Sequence, residues 1–274
     1  MTVASGDARL FTVERWELWD GSLSPDHERL ASTLNSVLED MNREADPVIY
    51  TWYEHAQWKW KRWEYASVLA TLPAAPAGLR VLDAGCGYTP LIRHVASLGT
   101  DAYGFDWDLN AAESNLSISS SLLFGDRVSY RQQDIRAMSW PSDYFDVTLS
   151  VSVLEHLYQA EGFPAKVWDR LAGSHKPFHY RNVARAIQDL VRVTKPGGLI
   201  AITMDCGYGG GIPPSEVERL FDIKFPSFPN VDTIREYWRH DDYYMRRNKI
   251  YPNTPREYTG FFAVLRKLVP SAAL

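Results

Sequence analysis

Cysteine is scarce in this sequence, and long apolar runs are missing from it. The 274 residues include only two cysteines, Cys86 and Cys206, which make neither a disulfide framework nor a metal-ligand spacing. No stretch reaches the roughly 18 consecutive apolar residues that a membrane-spanning helix needs. The first residues, MTVASGDARL, lack a secretory apolar segment. We therefore expect no disulfide, no structural zinc, no membrane association and a cytoplasmic location.

A surplus of positive charge is also lacking. The formal net charge is -5, so a general attraction to nucleic-acid phosphates has no evident source. Lys59, Lys61 and Arg62 form only a modest basic stretch, and we expect no nucleic-acid partner. Large aromatic residues are abundant instead, with 10 Trp and 15 Tyr. Such rings need a core or an aromatic-lined pocket.

The chain divides near Pro73 and Pro76, and residues 1–75 predict a helical, aromatic-rich N-terminal extension. Ser24 and Pro25 begin one amphipathic helix, and a second helix ends at Leu72 because a following proline disfavours the helical conformation. The extension could act as a lid over a ligand, or its rings could pack in the core. The aromatic residues concerned are Trp52, Tyr53, Trp58, Trp60, Trp63 and Tyr65.

Residues 76–274 alternate strand and helix signals. Five strands are predicted in LRVLDAG, AYGFD, VSYRQQD, FDVTLSVSV and LIAITMD, with helices at LIRHVASLG, residues 109–116 and HYRNVARAIQDLVRV. Further on, Ser215 and Glu218 suggest a capping box, a helix is predicted near residues 231–238, and GFFAVLRK suggests a closing edge strand. The pattern predicts an α/β fold: a Rossmann-like, doubly wound, mostly parallel sheet with helices on both faces. We expect seven strands in the complete sheet, of which these segments supply six.

Acidic residues end three successive predicted strands. The segment VLDAGCG places Asp83 before a turn of small residues, where backbone can approach a ligand. Asp106 ends the next strand about 20 residues later, which suits the ribose hydroxyls of a nucleotide. Asp134 ends the third strand, and Ile135 beside it could form an apolar wall for adenine. Each motif alone could be an ordinary strand-to-helix turn, but their joint order predicts a nucleotide-type cofactor site.

The sequence resembles the class I S-adenosylmethionine-dependent methyltransferases over roughly residues 79–205. The motifs that carry the resemblance are VLDAGCG, GFDWD, QQDI, FDVTLSVSVLEHL and KPGGLIAIT. The resemblance implies that S-adenosylmethionine is the cofactor and S-adenosylhomocysteine the product. It implies contacts from Asp83, Gly85, Cys86 and Gly87 around the methionine portion, Asp106 and Trp107 at the ribose, Asp134 and Ile135 at the adenine, and Ser150 beside the sulfonium.

Thr89 stands where the methyltransferases that this sequence resembles often have a third glycine, and Pro90 stands at the last glycine position of the dinucleotide fingerprint G-x-G-x-x-G. This departure disfavours a nicotinamide cofactor more than it disfavours S-adenosylmethionine. The same two residues could supply the cap and the first position of the helix LIRHVASLG.

Glu155 and His156 follow the fourth predicted strand directly. This position would place His156 at the mouth of the site, with a pKa range suited to removing a proton near neutrality. A structural role for the histidine, capping the strand or lining a pocket, stays equally open. A base is required only if the methyl acceptor must lose a proton.

Two insertions, near residues 157–180 and 206–258, are expected to shape the acceptor pocket within the core domain of residues 76–274. Asp241 and Asp242 lack a third ligand at a useful spacing, so no catalytic metal is predicted.

The preferred hypothesis is a methyltransferase that acts on an oxygen, nitrogen or carbon atom of a small metabolite, possibly aromatic or natural-product-like. A methyltransferase for protein or RNA, a non-catalytic S-adenosylmethionine-binding regulator and a nucleotide-dependent oxidoreductase are the alternatives. The sequence leaves the oligomeric state open between monomer and homodimer.

Overall fold

The computed structural model describes residues 9–42, 59–87, 90–108, 128–158, 180–207, 211–239 and 257–269. Within these ranges the strands form one sheet of seven, in the spatial order β1-β7-β6-β5-β2-β3-β4. The strands in chain order are β1 (Phe11–Leu18), β2 (Arg80–Ala84), β3 (Asp101–Asp106), β4 (Val128–Gln132), β5 (Phe145–Val151), β6 (Thr194–Gly207) and β7 (Tyr258–Lys267).

Strands β2 to β6 pair in parallel, whereas β7 is antiparallel to both of its neighbours, β6 and β1. The chain order runs in opposite directions on the two sides of the β2–β5 pair. In open α/β sheets such a reversal leaves a crevice at the carboxyl ends of the strands. The predicted Rossmann-like, mostly parallel seven-stranded fold is confirmed, and its crevice lies where the sequence placed the strand-end acids.

The helices are α1 (Pro25–Asn42), α2 (Lys59–Leu69), α3 (Leu91–Ser97), α4 (Tyr180–Val193), α5 (Pro214–Phe221) and α6 (Val231–Arg239), with a 3₁₀ helix at Leu154–Tyr158. One core cluster packs α4 and α5 against the sheet, and a second cluster packs α1, α2, α3 and α6 against it. Because both faces of the central strands are covered, those strands carry nearly continuous apolar runs.

The N-terminal extension requires a correction, since it is not only helical. Residues Phe11–Leu18 form β1 and pair with β7 at the edge of the sheet. The GFFAVLRK segment is therefore an interior strand and not the predicted edge strand. The backbone N–H of Trp19 continues the contact by donating to the Gly260 carbonyl at 2.8 Å.

Two local predictions also differ from the structure. Helix α5 begins at Pro214 with no side-chain cap, so the predicted capping box at Ser215 and Glu218 is wrong. The Glu218 carboxylate instead accepts hydrogen bonds from the Phe225 N–H at 2.8 Å and from Lys224 Nζ at 3.0 Å. Helix α3 has Pro90 at its N-cap position and not at its first helical position. Thr89 and the helix predicted at residues 109–116 lie outside the described residues.

Candidate active site

The turn after β2 brings the backbone of β2 and β3 together. Gly85 and Gly87 both have positive φ, at 80° and 48°, a region that glycine enters without strain. The N–H groups of Gly85 and Cys86 each donate to the Phe105 carbonyl at 2.9 Å. A Cβ atom on Gly85 would lie 2.5 Å from a methyl carbon of Val153. The turn therefore needs glycine for both its conformation and its space.

Asp106 ties the end of β3 to this turn. One carboxylate oxygen accepts the Gly87 N–H at 2.9 Å, and the other accepts the Asp108 N–H at 2.9 Å. The next side chain, Trp107, is 70% exposed. The structure thus brings Asp106 and the glycine turn together, with an exposed aromatic ring following them in the chain.

Asp83 is a buried acid at the end of β2. Its side chain is 2% exposed, and one carboxylate oxygen has no hydrogen-bond partner among the described residues. Burial and the neighbouring Asp106 raise the pKa of Asp83 to about 7. A buried acid of this kind suits a ligand that brings positive charge or N–H donors.

Cys86 contributes to the turn through its backbone. Its side chain is buried, and burial raises the pKa of its thiol well above the ordinary value. The thiol stays protonated and is a poor nucleophile under these conditions.

Asp134 and Ile135 occupy the turn after β4. The Gln133 N–H donates to the Asp106 carbonyl at 3.0 Å, which holds this turn beside the end of β3. Arg136 binds the Asp134 carboxylate, with Nη2 2.7 Å from Oδ2 and Nε 3.0 Å from Oδ1. These bonds hold the pKa of Asp134 below its usual range. Ile135 is buried in the core cluster that contains α4.

Two serines with different surroundings lie at the end of β5, Ser150 within the strand and Ser152 directly after it. Ser150 is fully buried, and its hydroxyl has no hydrogen-bond partner among the described residues. Ser152 has φ 53°, which is unusual for a residue with a side chain. Its N–H donates to the Thr203 carbonyl at 3.0 Å. Strained backbone of this kind occurs often at functional sites, and here it sets the position of the Ser152 hydroxyl.

The two predicted catalytic residues are neighbours in the 3₁₀ helix with opposite exposure. Glu155 is 6% exposed, whereas His156 is exposed. Burial is the main cause of a pKa of Glu155 well above its ordinary value, and the nearby Asp205 and Glu64 raise it further. The structure thus separates them into a buried acid and a surface histidine.

A buried polar cluster, which the sequence did not reveal, surrounds Glu155. Lys61 Nζ donates to Glu64 Oε2 at 2.8 Å and to Ser152 Oγ at 2.7 Å, and Ser152 Oγ donates to Glu64 Oε1 at 2.7 Å. Asp205, near the end of β6, acts on Glu155 electrostatically. We define the buried polar cluster as Lys61, Glu64, Ser152, Glu155 and Asp205. The one available signal in the sequence was that Lys61 and Glu64, of opposite charge, lie three positions apart within the aromatic stretch of α2.

The described rings of the aromatic extension pack in the core. Trp60, Trp63 and Tyr65 are buried. Trp60 lies edge-on to Trp238 at 5.3 Å between ring centroids, and Trp63 lies edge-on to Phe262 at 6.4 Å. Core packing therefore accounts for these three. Trp52, Tyr53 and Trp58 lie outside the described residues, and the lid hypothesis stays a prediction.

A groove of about 760 Å³ lies away from the glycine turn, between β1 and the end of α5. We do not assign the site there, because β1 is four places from β2 in the sheet order. In the described ranges, no group of three or more His, Cys, Asp or Glu side chains is arranged to hold a metal ion. No helix among the described residues is long and apolar enough to cross a membrane. Asp241 and Asp242 fall outside those ranges.

Comparison with known proteins supports the resemblance. Residues 82–202 match a family model described as a methyltransferase domain. A ubiquinone biosynthesis O-methyltransferase of Sinorhizobium medicae is 36% identical over 88 residues, which cover 31% of this chain and 34% of that protein. The corresponding protein of Ruegeria pomeroyi is 34% identical over 125 residues, covering 45% of this chain and 40% of that protein. The chain thus matches well under half the length of these relatives.

Among solved structures, the 4+2 cyclase SpnF has a TM-score of 0.51 and 15% identity, covering 90% of this chain and 98% of that one. This likeness concerns the fold alone. The predicted resemblance to class I S-adenosylmethionine-dependent methyltransferases is confirmed. Residues 82–202 thus match a methyltransferase domain, as the sequence motifs predicted.

Proposed function

Since residues 82–202 match a methyltransferase domain, we propose that this protein transfers a methyl group from S-adenosylmethionine to an oxygen, nitrogen or carbon atom of a small molecule. One observation carries the proposal. Asp106 at the end of β3 accepts the N–H of Gly87 from the turn after β2, at the crevice where the strand order reverses. This is the position in which open α/β sheets hold nucleotide-type ligands.

The residues around the crevice fit this cofactor chemically. Asp83 offers a buried carboxylate oxygen without a partner among the described residues, which suits the ammonium group of the methionine portion. Gly85 leaves no space for a side chain beside Val153, whereas a Cβ on Gly87 would meet no described atom within 4 Å, so a ligand can approach the backbone at Gly87. Asp106 and Trp107 would hold the ribose, and Ile135 with Asp134 would frame the adenine. Cys86, Gly87 and Ser150 complete the proposed contacts, with Ser150 beside the sulfonium.

The proposed contact of Asp134 with adenine must coexist with the bonds between Asp134 and Arg136. Arg136 occupies both oxygens of that carboxylate, so contact with an adenine amino group requires Asp134 to share an oxygen already bound by Arg136. A carboxylate oxygen has two lone pairs and can accept more than one donor.

S-adenosylmethionine, when bound, supplies a methyl group already activated on a sulfonium. The residues of this chain would then position the acceptor and exclude water, which can supply much of the rate acceleration. His156, exposed at the carboxyl end of β5, is the candidate base for acceptors that must lose a proton. Glu155 lies on the buried side of the same helix and would contact the acceptor.

The relatives that are named ubiquinone biosynthesis O-methyltransferases support a small-molecule acceptor here. Calorimetry tests the cofactor first, with S-adenosylmethionine, S-adenosylhomocysteine and NAD titrated into the protein and into an Asp106→Ala variant. Micromolar affinity for the first two ligands, lost in the variant, is the expected result. Preference for NAD, or no binding of either adenosyl ligand, would overturn the proposal.

An acceptor screen with methyl-labelled cofactor then tests the transfer itself. Binding without any labelled product would favour a regulatory role. If His156 is the base, His156→Ala lowers turnover far more than cofactor affinity, and unchanged turnover removes it from that role.

A further inference from the structure

The buried polar cluster holds more negative than positive groups. Glu64, Glu155 and Asp205 are 0%, 6% and 8% exposed, and Lys61 is 7% exposed. Taking a carboxylate out of water is costly unless an opposite charge or hydrogen-bond donors replace the water. Three buried acids beside one buried ammonium therefore need a further source of positive charge or protons.

The one ammonium in this set is already engaged by Glu64. Lys61 Nζ lies 2.8 Å from Glu64 Oε2, and Ser152 Oγ donates to the same carboxylate. Lys61 also lies over the Trp60 ring at 4.1 Å from its centroid, which fixes it further. The hydrogen bonds of this ammonium thus go to Glu64 and Ser152. Its charge also favours the ionised form of Glu155, but burial, Asp205 and Glu64 outweigh it.

Glu155 has a carboxylate oxygen, Oε2, with no hydrogen-bond partner among the described residues. The nearby acids Asp205 and Glu64 both disfavour its ionised form. An unpartnered oxygen on an almost fully buried acid marks a place where a donor is missing.

The cluster lies beside the proposed cofactor site. Ser152 and Glu155 directly follow β5, the neighbour of β2 in the sheet, and Asp205 is near the end of β6. Val153, between Ser152 and Glu155 in the chain, contacts the position where Gly85 would carry a Cβ. The segment that carries Ser152 and Glu155 therefore packs directly against the glycine turn.

We propose that the buried polar cluster binds a protonated primary or secondary amino group of the methyl acceptor, with the Glu155 carboxylate as its counter-charge. The assignment of this amine to the acceptor rests on the proposed function. An ammonium with N–H groups supplies both the positive charge and the donor that Glu155 lacks. A neutral hydroxyl supplies only the donor and leaves the charge uncompensated.

Binding has a definite proton balance. In the free protein, burial raises the pKa of Glu155, so the group holds a proton above its ordinary range. When R–NH₃⁺ binds, the carboxylic acid releases this proton to solvent and forms a carboxylate–ammonium pair. No covalent bond changes, and the amine keeps its own protons.

Calorimetry on the full chain with saturating S-adenosylhomocysteine tests the proposal. Benzylamine is compared with benzyl alcohol, and butylamine with butanol, at neutral pH in two buffers of different ionisation enthalpy. We expect each amine to bind at least about tenfold more tightly than its alcohol, as for a desolvated charge pair, and to release protons on binding. Glu155→Gln should remove both the preference and the proton release.

Glu14→Gln is the matched control, because Glu14 lies on β1, away from the cluster, and its side chain is 41% exposed. This variant should keep the preference and the proton release of the unaltered protein. If Glu155→Gln does not fold, Asp205→Asn serves as the second variant and should weaken amine binding in the same direction.

Equal affinity for amine and alcohol, no amine binding, or proton release that persists in Glu155→Gln would each overturn the cation site. S-adenosylhomocysteine binding is measured separately, so the two proposals can fail independently. Amine binding by a protein that binds no S-adenosylhomocysteine would support the cation site while contradicting the proposed methyl transfer.

Discussion

Asp83 is a residue whose ionisation opposes folding. Its pKa in the folded protein is about 7, against an ordinary value of 3.8. The folded state therefore holds a proton that the unfolded chain loses at lower pH. Protonated Asp83 therefore contributes to the free energy of unfolding. This contribution is fully present below pH 3.8, decreases as the pH rises to about 7, and stays low at higher pH.

Asp83→Asn should remove this pH dependence, because asparagine keeps the shape of the side chain without its charge. We compare the free energy of unfolding of the variant with that of the unaltered protein, by urea unfolding at pH 4.5 and at pH 8. The difference should shift in favour of the variant at pH 8. It should also bind S-adenosylhomocysteine more weakly, since an ionised partner for the ligand's ammonium is lost. The same stability difference at both pH values would contradict the assignment.

Gly85 and Gly78 form a matched pair for testing the turn after β2. Their φ angles are nearly equal, at 80° and 79°, but a Cβ on Gly78 would meet nothing within 4 Å. Gly78→Ala should cost about 1–3 kcal/mol for the left-handed backbone alone. Gly85→Ala should lower the free energy of unfolding by about 1–3 kcal/mol more than Gly78→Ala does, because the new Cβ would clash with Val153. It should also weaken S-adenosylhomocysteine binding.

Urea unfolding and calorimetry measure both of these variants. The double variant Gly85→Ala, Val153→Ala should recover part of the added cost, because it removes the clashing methyl groups. An equal loss of free energy of unfolding in Gly78→Ala and Gly85→Ala would contradict the importance of the close approach between Gly85 and Val153.

Individual residues differ in how far the sequence could place them. Asp83 and Asp106 were predictable because each ends an apolar strand, and parallel strands bring their carboxyl ends to one edge. Glu64 was not, because its role depends on α2 packing against β5, a tertiary contact without a local signal. His156 and Glu155 adjoin in sequence, yet only the fold determines which one is buried.

Among the elements, β1 shows why a strand can escape prediction. The β1–β7 pairing has a bulge between Val13 and Arg15. The bulge shifts the alternation by one residue, so Phe11 and Val13 face the same core cluster as Trp16 and Leu18. A strict two-residue period cannot detect this pattern. The largely apolar β5, in contrast, was predicted to within two residues.

The junction between β1 and α1 should depend strongly on Trp19. This side chain is fully buried, with its ring 5.0 Å from that of Trp238, and the neighbouring Thr259 hydroxyl donates to its carbonyl. Trp19→Ala should lower the free energy of unfolding by about 3–5 kcal/mol. Trp107→Ala is the control, because that ring is mostly exposed and should change stability by less than about 0.5 kcal/mol.

Urea titrations followed by far-UV circular dichroism compare the two tryptophan variants. Trp107→Ala should instead weaken the binding of S-adenosylhomocysteine, because it removes the proposed contact with the ribose. A Trp19→Ala variant as stable as the unaltered protein would show that the packing of Trp19 contributes little to stability.

At the scale of the whole molecule, the two ends of the described chain meet in one sheet. Strand β1 pairs with β7, and Trp19, Leu34 and Trp63 share a core cluster with residues of the central strands. The division near residue 75, drawn from a change in sequence pattern, therefore separates segments that share one core. A period-based interpretation could not detect this, because pairing between distant strands leaves no trace in local spacing.

A shared core predicts a single cooperative unfolding transition. Tryptophan fluorescence, which includes Trp19, Trp60 and Trp63 upstream of residue 75, should lose its folded signal at the same urea concentration as circular dichroism. S-adenosylhomocysteine at about 100 times its dissociation constant should shift both curves together to higher urea concentration. The free energy of unfolding from each should rise by about 2.7 kcal/mol. If the N-terminal extension were an independent lid, fluorescence would show an earlier transition that the ligand shifts separately, so two separated midpoints would contradict the single core.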